Sequence, residues 1–134
     1  MSTEKNLQLI IIRGLPGSGK STRARSVAAA MGFRHIETDM FFVDSTGKHW
    51  FDHTKLSKAH AWCQFETRKT LAEGTSVVVS NTFVTEAEIR PYREIAHATH
   101  ASLTIWETTG AWHSVHNVPH KTITRMRARW EFVL

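Results

Sequence analysis

The sequence predicts an α/β fold: a parallel sheet with helices packed over both faces. Three observations carry this. Residues Gly14-Leu15-Pro16-Gly17-Ser18-Gly19-Lys20-Ser21 fit the G-x-x-x-x-G-K-[ST] spacing of a phosphate-binding loop set between a strand and a helix. Short apolar, β-branched runs alternate with stretches of helical periodicity, the pattern of parallel strands joined by crossover helices. The length of 134 residues, with 41% hydrophobic and 22% charged, matches one globular domain with a sizeable core.

The first strand is expected at Leu7–Arg13, the apolar run that leads into the loop. The loop glycines let the backbone wrap with its N–H groups turned toward an anion. The helix from Ser21 to Met31 adds its positive N-terminal end, and Gly32 stops it. A short second strand is expected at Arg34–Thr38, followed by a loop from Phe41 to His53 with a turn at Asp44-Ser45-Thr46-Gly47. Thr54–Glu73 has helical spacing, with Leu56, Ala59, Cys63 and Leu71 near one face and Gly74 as the stop. Ser76–Val79 is the third strand. Thr85-Glu86-Ala87-Glu88 reads as a capping box, with Val84 and Ile89 at the staple positions. That helix runs to about Thr99 and carries Pro91 inside, so a bend or a later start is expected. Ser102–Glu107 is the fourth strand, Thr108–Val118 a loop or lid, and Pro119 opens a last helix to about Trp130. With no repeat, low-complexity tract or linker, residues 1–134 are expected to form one domain, with a short basic lid and helix at 111–131.

The charge points to a partner. A net charge of +5 and a pI near 9.8 favour a polyanion. From Ala111 onward Lys121, Arg125, Arg127 and Arg129 stand against one acid, Glu131, with His113, His116 and His120 among them. A solvated basic helix face would read the same way. Met1–Asn6 has no signal-peptide pattern, and no apolar run approaches the length of a membrane span. Cys63 is the sole cysteine, which excludes an internal disulfide and fits a reducing cytoplasm. No membrane contact and no obligate protein partner is expected. The histidine pairs His49/His53 and His116/His120 lie in loops or across a proline, so a structural zinc is not expected. Trp50, Trp62, Trp106 and Trp130 are read mostly as core; Trp112, beside the basic segment, is either core or a surface for base stacking.

The loop identifies a nucleoside triphosphate as ligand, with Gly14, Pro16, Gly17, Ser18, Gly19, Lys20, Ser21 and Thr22 as its expected binding residues. Lys20 reaches the β- and γ-phosphates, and Ser21 binds Mg²⁺. In open parallel sheets, ligands bind beyond the carboxyl ends of the strands. Asp39 stands at such an end. It either accepts the proton of an attacking hydroxyl, or holds a water of the Mg²⁺ shell, or caps the following loop. Ser80-Asn81-Thr82 ends the third strand with neutral groups where many P-loop proteins place an Asp. Asn81 and Thr82 orient an acceptor hydroxyl or form a polar turn. Arg125 and Arg129 share a helical face and are expected to steady the transferring phosphoryl group, while Arg127 points elsewhere.

Taken together, these residues resemble small P-loop kinases of the bacteriophage polynucleotide 5′-hydroxyl kinase type and the related AAA-family kinase-like domains. The shared pattern runs along almost the whole chain: Gly14–Thr22, Asp39-Met40-Phe41-Phe42, Gly47-Lys48 with Phe51-Asp52, Leu56-x-x-Ala59-His60-x-x-Cys63, Ser80-Asn81-Thr82, Pro91-Tyr92, and Val118-Pro119 through Arg129-Trp130-Glu131. The resemblance implies a single-domain P-loop kinase fold with sheet order about 2-3-1-4. It implies ATP as donor, Mg²⁺ held through Ser21, Asp39 as general base, and a lid carrying His113 and His116. It further implies a nucleic-acid hydroxyl as acceptor, either a polynucleotide 5′ end or a hydroxymethyl base. The chain departs from the pattern at three places. Related lids read Arg-Asn-x-His-Gly-Val-Pro where this chain has His113-Ser114-Val115-His116-Asn117-Val118-Pro119. Ser80 replaces a strand-end Asp, and Met40 stands where a second acid follows Asp39. The alternatives are a kinase for a nucleoside, nucleotide or other small molecule, and a nucleotide-binding regulator without turnover.

Overall fold

Four strands pair in parallel in the computed structural model, which describes residues 6–108 and 119–133. They are β1 (Gln8–Arg13), β2 (Arg34–Ile36), β3 (Val77–Asn81) and β4 (Ser102–Glu107), in the order β2-β3-β1-β4. The order is the one expected. The helices are α1 (Lys20–Met31), α2 (Leu56–Ala72), α3 (Glu86–Thr99) and α4 (His120–Arg129).

Strand periodicity builds the two cores. Leu9 and Ile11 of β1 and Val77 and Val79 of β3 point to one face, where they meet Cys63 of α2 and Ile89 and Tyr92 of α3. Ile10, Ile12 and Val78 point to the other, against Ala24 and Ala28 of α1. A central parallel strand covered on both sides must be apolar at every position, which is why β1 reads Leu-Ile-Ile-Ile.

Several boundaries move, each for a physical reason. The second strand stops at Ile36, because the Thr38 N–H leaves the ladder and donates to the Asn81 side chain at 2.9 Å. Thr38–Phe42 instead form a 3₁₀ turn that carries Asp39. In α2 the buried face is Ala59, Cys63, Thr67, Thr70 and Leu71; Leu56, expected on it, opens the helix and is 39% exposed. Thr67 and Thr70 tolerate burial by donating their hydroxyls to the Cys63 and Glu66 carbonyls, both at 2.7 Å. The helix α3 runs from Glu86 through Pro91 without a later start. Its capping box closes, with Glu88 Oε2 accepting the Thr85 N–H at 2.9 Å, and Val84 and Ile89 both buried. The tryptophans are less buried than expected: Trp62 packs on the core, but Trp50 and Trp106 are each 37% exposed, Trp106 because β4 is an edge strand. Trp112, His113 and His116 lie outside the described residues.

Candidate phosphoryl-transfer site

The turn between β1 and α1 is shaped by its glycines. Gly17 and Gly19 have φ of +82° and +88°, in the left-handed region that a side chain resists. Gly14 is required for a different reason: a Cβ there would collide with the hydroxyl oxygens of Ser18 and Thr108. Those hydroxyls are bonded to each other at 2.7 Å, and Thr108 passes its own proton to the Arg13 carbonyl at 3.2 Å. The loop is thereby pinned to the end of β4. The Ser18 N–H donates to the Leu15 carbonyl at 3.0 Å, closing the turn around Pro16. Among the described residues no side chain caps α1 and no acid stands in its first turn, so the positive end of the helix is open. Thr22 is exposed on that turn, its Oγ1 3.5 Å from Arg25.

Lys20 is partly enclosed. Burial pushes its ammonium pKa down, and the nearby carboxylates of Glu37 and Asp39 pull it up. Both acids therefore share the cleft with the P-loop lysine.

Glu37 is the site residue that sequence reasoning missed. Its Oε2 accepts from Ser21 Oγ and Ser80 Oγ, each at 2.8 Å, with His35 Nε2 at 3.6 Å. A carboxylate only accepts, so Ser80 has given its hydrogen to Glu37, and His35 Nε2–H must be the donor in the 2.7 Å contact to Ser80 Oγ. Burial pushes the Glu37 carboxyl up, but the neighbouring His35 ring and the hydrogen bonds from the Ser21 and Ser80 hydroxyls outweigh it and hold the pKa down at about 2. The signal available in the sequence was position alone: an acid at the carboxyl end of a strand.

The expected residues divide. Asp39 is close to Lys20 and half exposed, and its Oδ1 accepts from His49 Nε2 at 2.9 Å. Asn81 is turned to a bracing role, its Oδ1 on the Thr38 N–H and its Nδ2 3.7 Å from Cys63 Sγ. With Thr82 it also lines a cavity of about 110 Å³, shared with His60, Phe83, Glu88 and Tyr92. Arg125 and Arg129 are exposed on α4, and among the described residues no hydrogen bond or ion pair joins them to the loop. Arg125 instead lines a hollow of about 350 Å³ with His120, Lys121 and Thr124.

The family model AAA_33, described as an AAA domain, matches residues 9–133. The chain belongs to this AAA-domain family. Among curated proteins it is similar to human NEDD4-binding protein 2, 28% identical over 138 residues that cover 93% of this chain. The match takes in only 8% of that much longer protein. Among solved structures it is similar to a gluconokinase from Sinorhizobium meliloti 1021, with a TM-score of 0.65 and 20% identity over 96% of this chain and 78% of the other. It is also similar to a chain of the Pnkp1/Rnl/Hen1 RNA repair complex, with a TM-score of 0.57 and 18% identity over 98% of this chain and 42% of that one. The APS kinase CysC of Mycobacterium tuberculosis, in complex with AMPPNP and APS, matches with a TM-score of 0.60 and 13% identity, over 91% and 69% of the two chains. At such identities the likeness is one of fold: this AAA domain has the P-loop architecture that those kinases use.

Proposed function

We propose that this AAA domain is an ATP-dependent phosphotransferase that moves the γ-phosphoryl group to a hydroxyl of nucleic acid, a polynucleotide 5′ end or a hydroxymethyl base. The observation that carries the reading is the exposed carboxylate of Asp39, held by His49 Nε2 at 2.9 Å, two residues beyond a Glu37 bonded to Ser21 in the first turn after the glycine-shaped loop. The kinase names of the structural neighbours and the RNA repair complex among them support it. In this reading the loop from Gly14 to Ser21 receives the ATP phosphates on its N–H groups, with Pro16 stiffening the turn and Thr22 at the helix start. Lys20 holds the β- and γ-phosphates. Asp39 takes the proton of the attacking hydroxyl, and the His49 N–H on Oδ1 fixes the carboxylate so that Oδ2 is left to receive it.

The fit for Mg²⁺ is good. The Ser21 hydroxyl lies beside an ionised carboxylate, a set of hard oxygen donors. When bound, the ion neutralises charge on the β- and γ-phosphates. Arg125 and Arg129, with the lid residues His113 and His116, contact the acceptor phosphates, and Thr82 orients the acceptor hydroxyl. A cytoplasmic setting belongs to the same proposal and rests on the single buried thiol of Cys63.

The test is transfer from labelled ATP to DNA, RNA, nucleosides and nucleotides, with hydrolysis measured without acceptor. Label should enter oligonucleotides with a 5′-hydroxyl, and Lys20→Ala should abolish it while the fold remains intact. Transfer confined to nucleosides or nucleotides would move the acceptor to the small cavity beside Asn81. A label that never exceeds hydrolysis would make the protein a nucleotide-binding regulator.

A further inference from the structure

A magnesium ion beside a P-loop is held by one or two carboxylates together with nucleotide phosphates and water. P-loop NTPases draw that carboxylate from an Asp at the end of a neighbouring strand. Here the neighbour of β1 on that side is β3, and it ends in the neutral pair Ser80-Asn81, paired in register with Ile12 and Arg13. The carboxylate comes from one strand further out. Glu37 follows the last paired residue of β2, Ile36, and its Oε2 lies between Ser80 Oγ and Ser21 Oγ, 2.8 Å from each.

We propose that Glu37 is the carboxylate of the Mg²⁺–nucleotide site, supplied from β2 in place of a strand-end acid on β3, with Ser80 and His35 as its positioning residues. The proposal rests on the nucleotide-binding reading above. Three features of the geometry support it. Ser21 spends its hydroxyl proton on Glu37, which leaves the Ser21 lone pairs for a cation. Among the described residues the hydrogen bonds and the ion pair of the carboxylate fall on Oε2, which leaves Oε1 for the ion or one of its waters. Ser80 is buried and carries no charge, yet its hydroxyl fixes Glu37 at 2.8 Å, and His35 in turn fixes Ser80.

The competing role for Glu37 is a tie that only joins β2, β3 and α1. Titration of the purified protein with a fluorescent ATP analogue, in EDTA and over a Mg²⁺ series, separates the two. Glu37→Gln keeps an acceptor for Ser21 and Ser80 but removes the charge. It should lower the melting temperature somewhat, because the neutral amide accepts the Ser21 and Ser80 hydroxyls less strongly than a carboxylate. It should not weaken metal-free nucleotide binding, since a negative charge beside the phosphates is removed, and should raise the Mg²⁺ concentration for half-maximal enhancement at least about 10-fold, the scale on which groups around a metal site act. The exchange variant Glu37→Ser/Ser80→Asp should bring that midpoint back toward the wild-type value. A Glu37→Gln protein with the wild-type Mg²⁺ midpoint overturns the proposal, as does an equal loss of affinity in EDTA and in Mg²⁺. If the wild-type protein binds no nucleotide under any condition, the phosphotransferase reading falls first and this one with it.

Discussion

Glu37 and Asp39 stand two residues apart on opposite terms with their surroundings. Glu37 is enclosed and gripped by two hydroxyl donors beside the His35 ring, which keeps it ionised; Asp39 is half exposed and, among the described residues, bonded to His49. A buried, fixed anion suits a cation, and an accessible carboxylate suits a proton in transit. Asp39→Asn keeps the shape and an acceptor for His49 but cannot take the proton. The expected result is a fall in kcat of about 10²–10⁴-fold at unchanged ATP Kd, from parallel transfer and nucleotide-binding assays. A weakened Kd at unchanged kcat would assign Asp39 to nucleotide binding. The sequence made Asp39 and the P-loop legible because each depends on a local pattern. Glu37 was not legible, because its partners Ser21 and Ser80 lie 16 and 43 residues away and meet it only once the register of three strands is known.

Among the elements, those governed by near neighbours were readable: β4 at Ser102–Glu107, the capping box of α3, and the glycine stop after α1, where Gly32 has φ +71°. Contacts that cross elements were not. The start of α3 is held a second time by Glu131, whose Oε1 accepts the Glu86 N–H at 2.7 Å from 45 residues away. The same C-terminal segment is locked by Arg13. This fully buried guanidinium donates to the Phe83 carbonyl at 2.9 and 2.7 Å and to the Val84 carbonyl at 3.1 Å. It also lies 3.8 Å over the Trp130 ring and 3.5 Å from Glu107. One side chain thus ties β1, β4, the turn before α3 and the residue after α4. It also restrains Phe83, which sits at an uncommon φ of +46°. Sequence alone read Arg13 as the last residue of a strand. Arg13→Met should cost about 1–3 kcal/mol, the scale for a buried acceptor left unsatisfied, because the Phe83 carbonyl loses both its guanidinium donors while the Val84 carbonyl keeps the Glu131 N–H at 2.9 Å and Glu107, 39% exposed, turns to water. Urea unfolding measures it; a loss below about 1 kcal/mol, the scale of one ordinary hydrogen bond, would mean that the cluster is not a lock.

At the scale of the molecule, charge is segregated. The cleft at the carboxyl ends of the strands gathers the acids Glu37 and Asp39 around Lys20. The α4 helix carries Lys121, Arg125, Arg127 and Arg129, all exposed. The parallel order β2-β3-β1-β4 was legible because alternating strands and helices allow few arrangements. Where α4 directs its cations was not, since no periodic pattern says what an exposed face meets. A cleft lined by two acids repels a polyanionic acceptor, so the proposed reaction needs a separate basic surface to hold one. If α4 is that surface, phosphate contacts release counterions and binding weakens with salt, each contact adding about −0.7 to −0.9 to the slope of log K against log salt. Two to four contacts from α4 predict a slope of roughly −1.4 to −2.8 for a labelled single-stranded oligonucleotide, at about −0.7 per contact, read by fluorescence anisotropy over a salt series. Arg125→Ala and Arg129→Ala should each make the slope shallower by about one unit and weaken all sequences alike. Their Mg²⁺-dependent nucleotide affinity should not move, since neither residue is joined to the P-loop. Binding that ignores salt, or a slope untouched by both substitutions, would leave the basic helix a solvated face and return the acceptor to the small cavity beside Asn81 and Thr82.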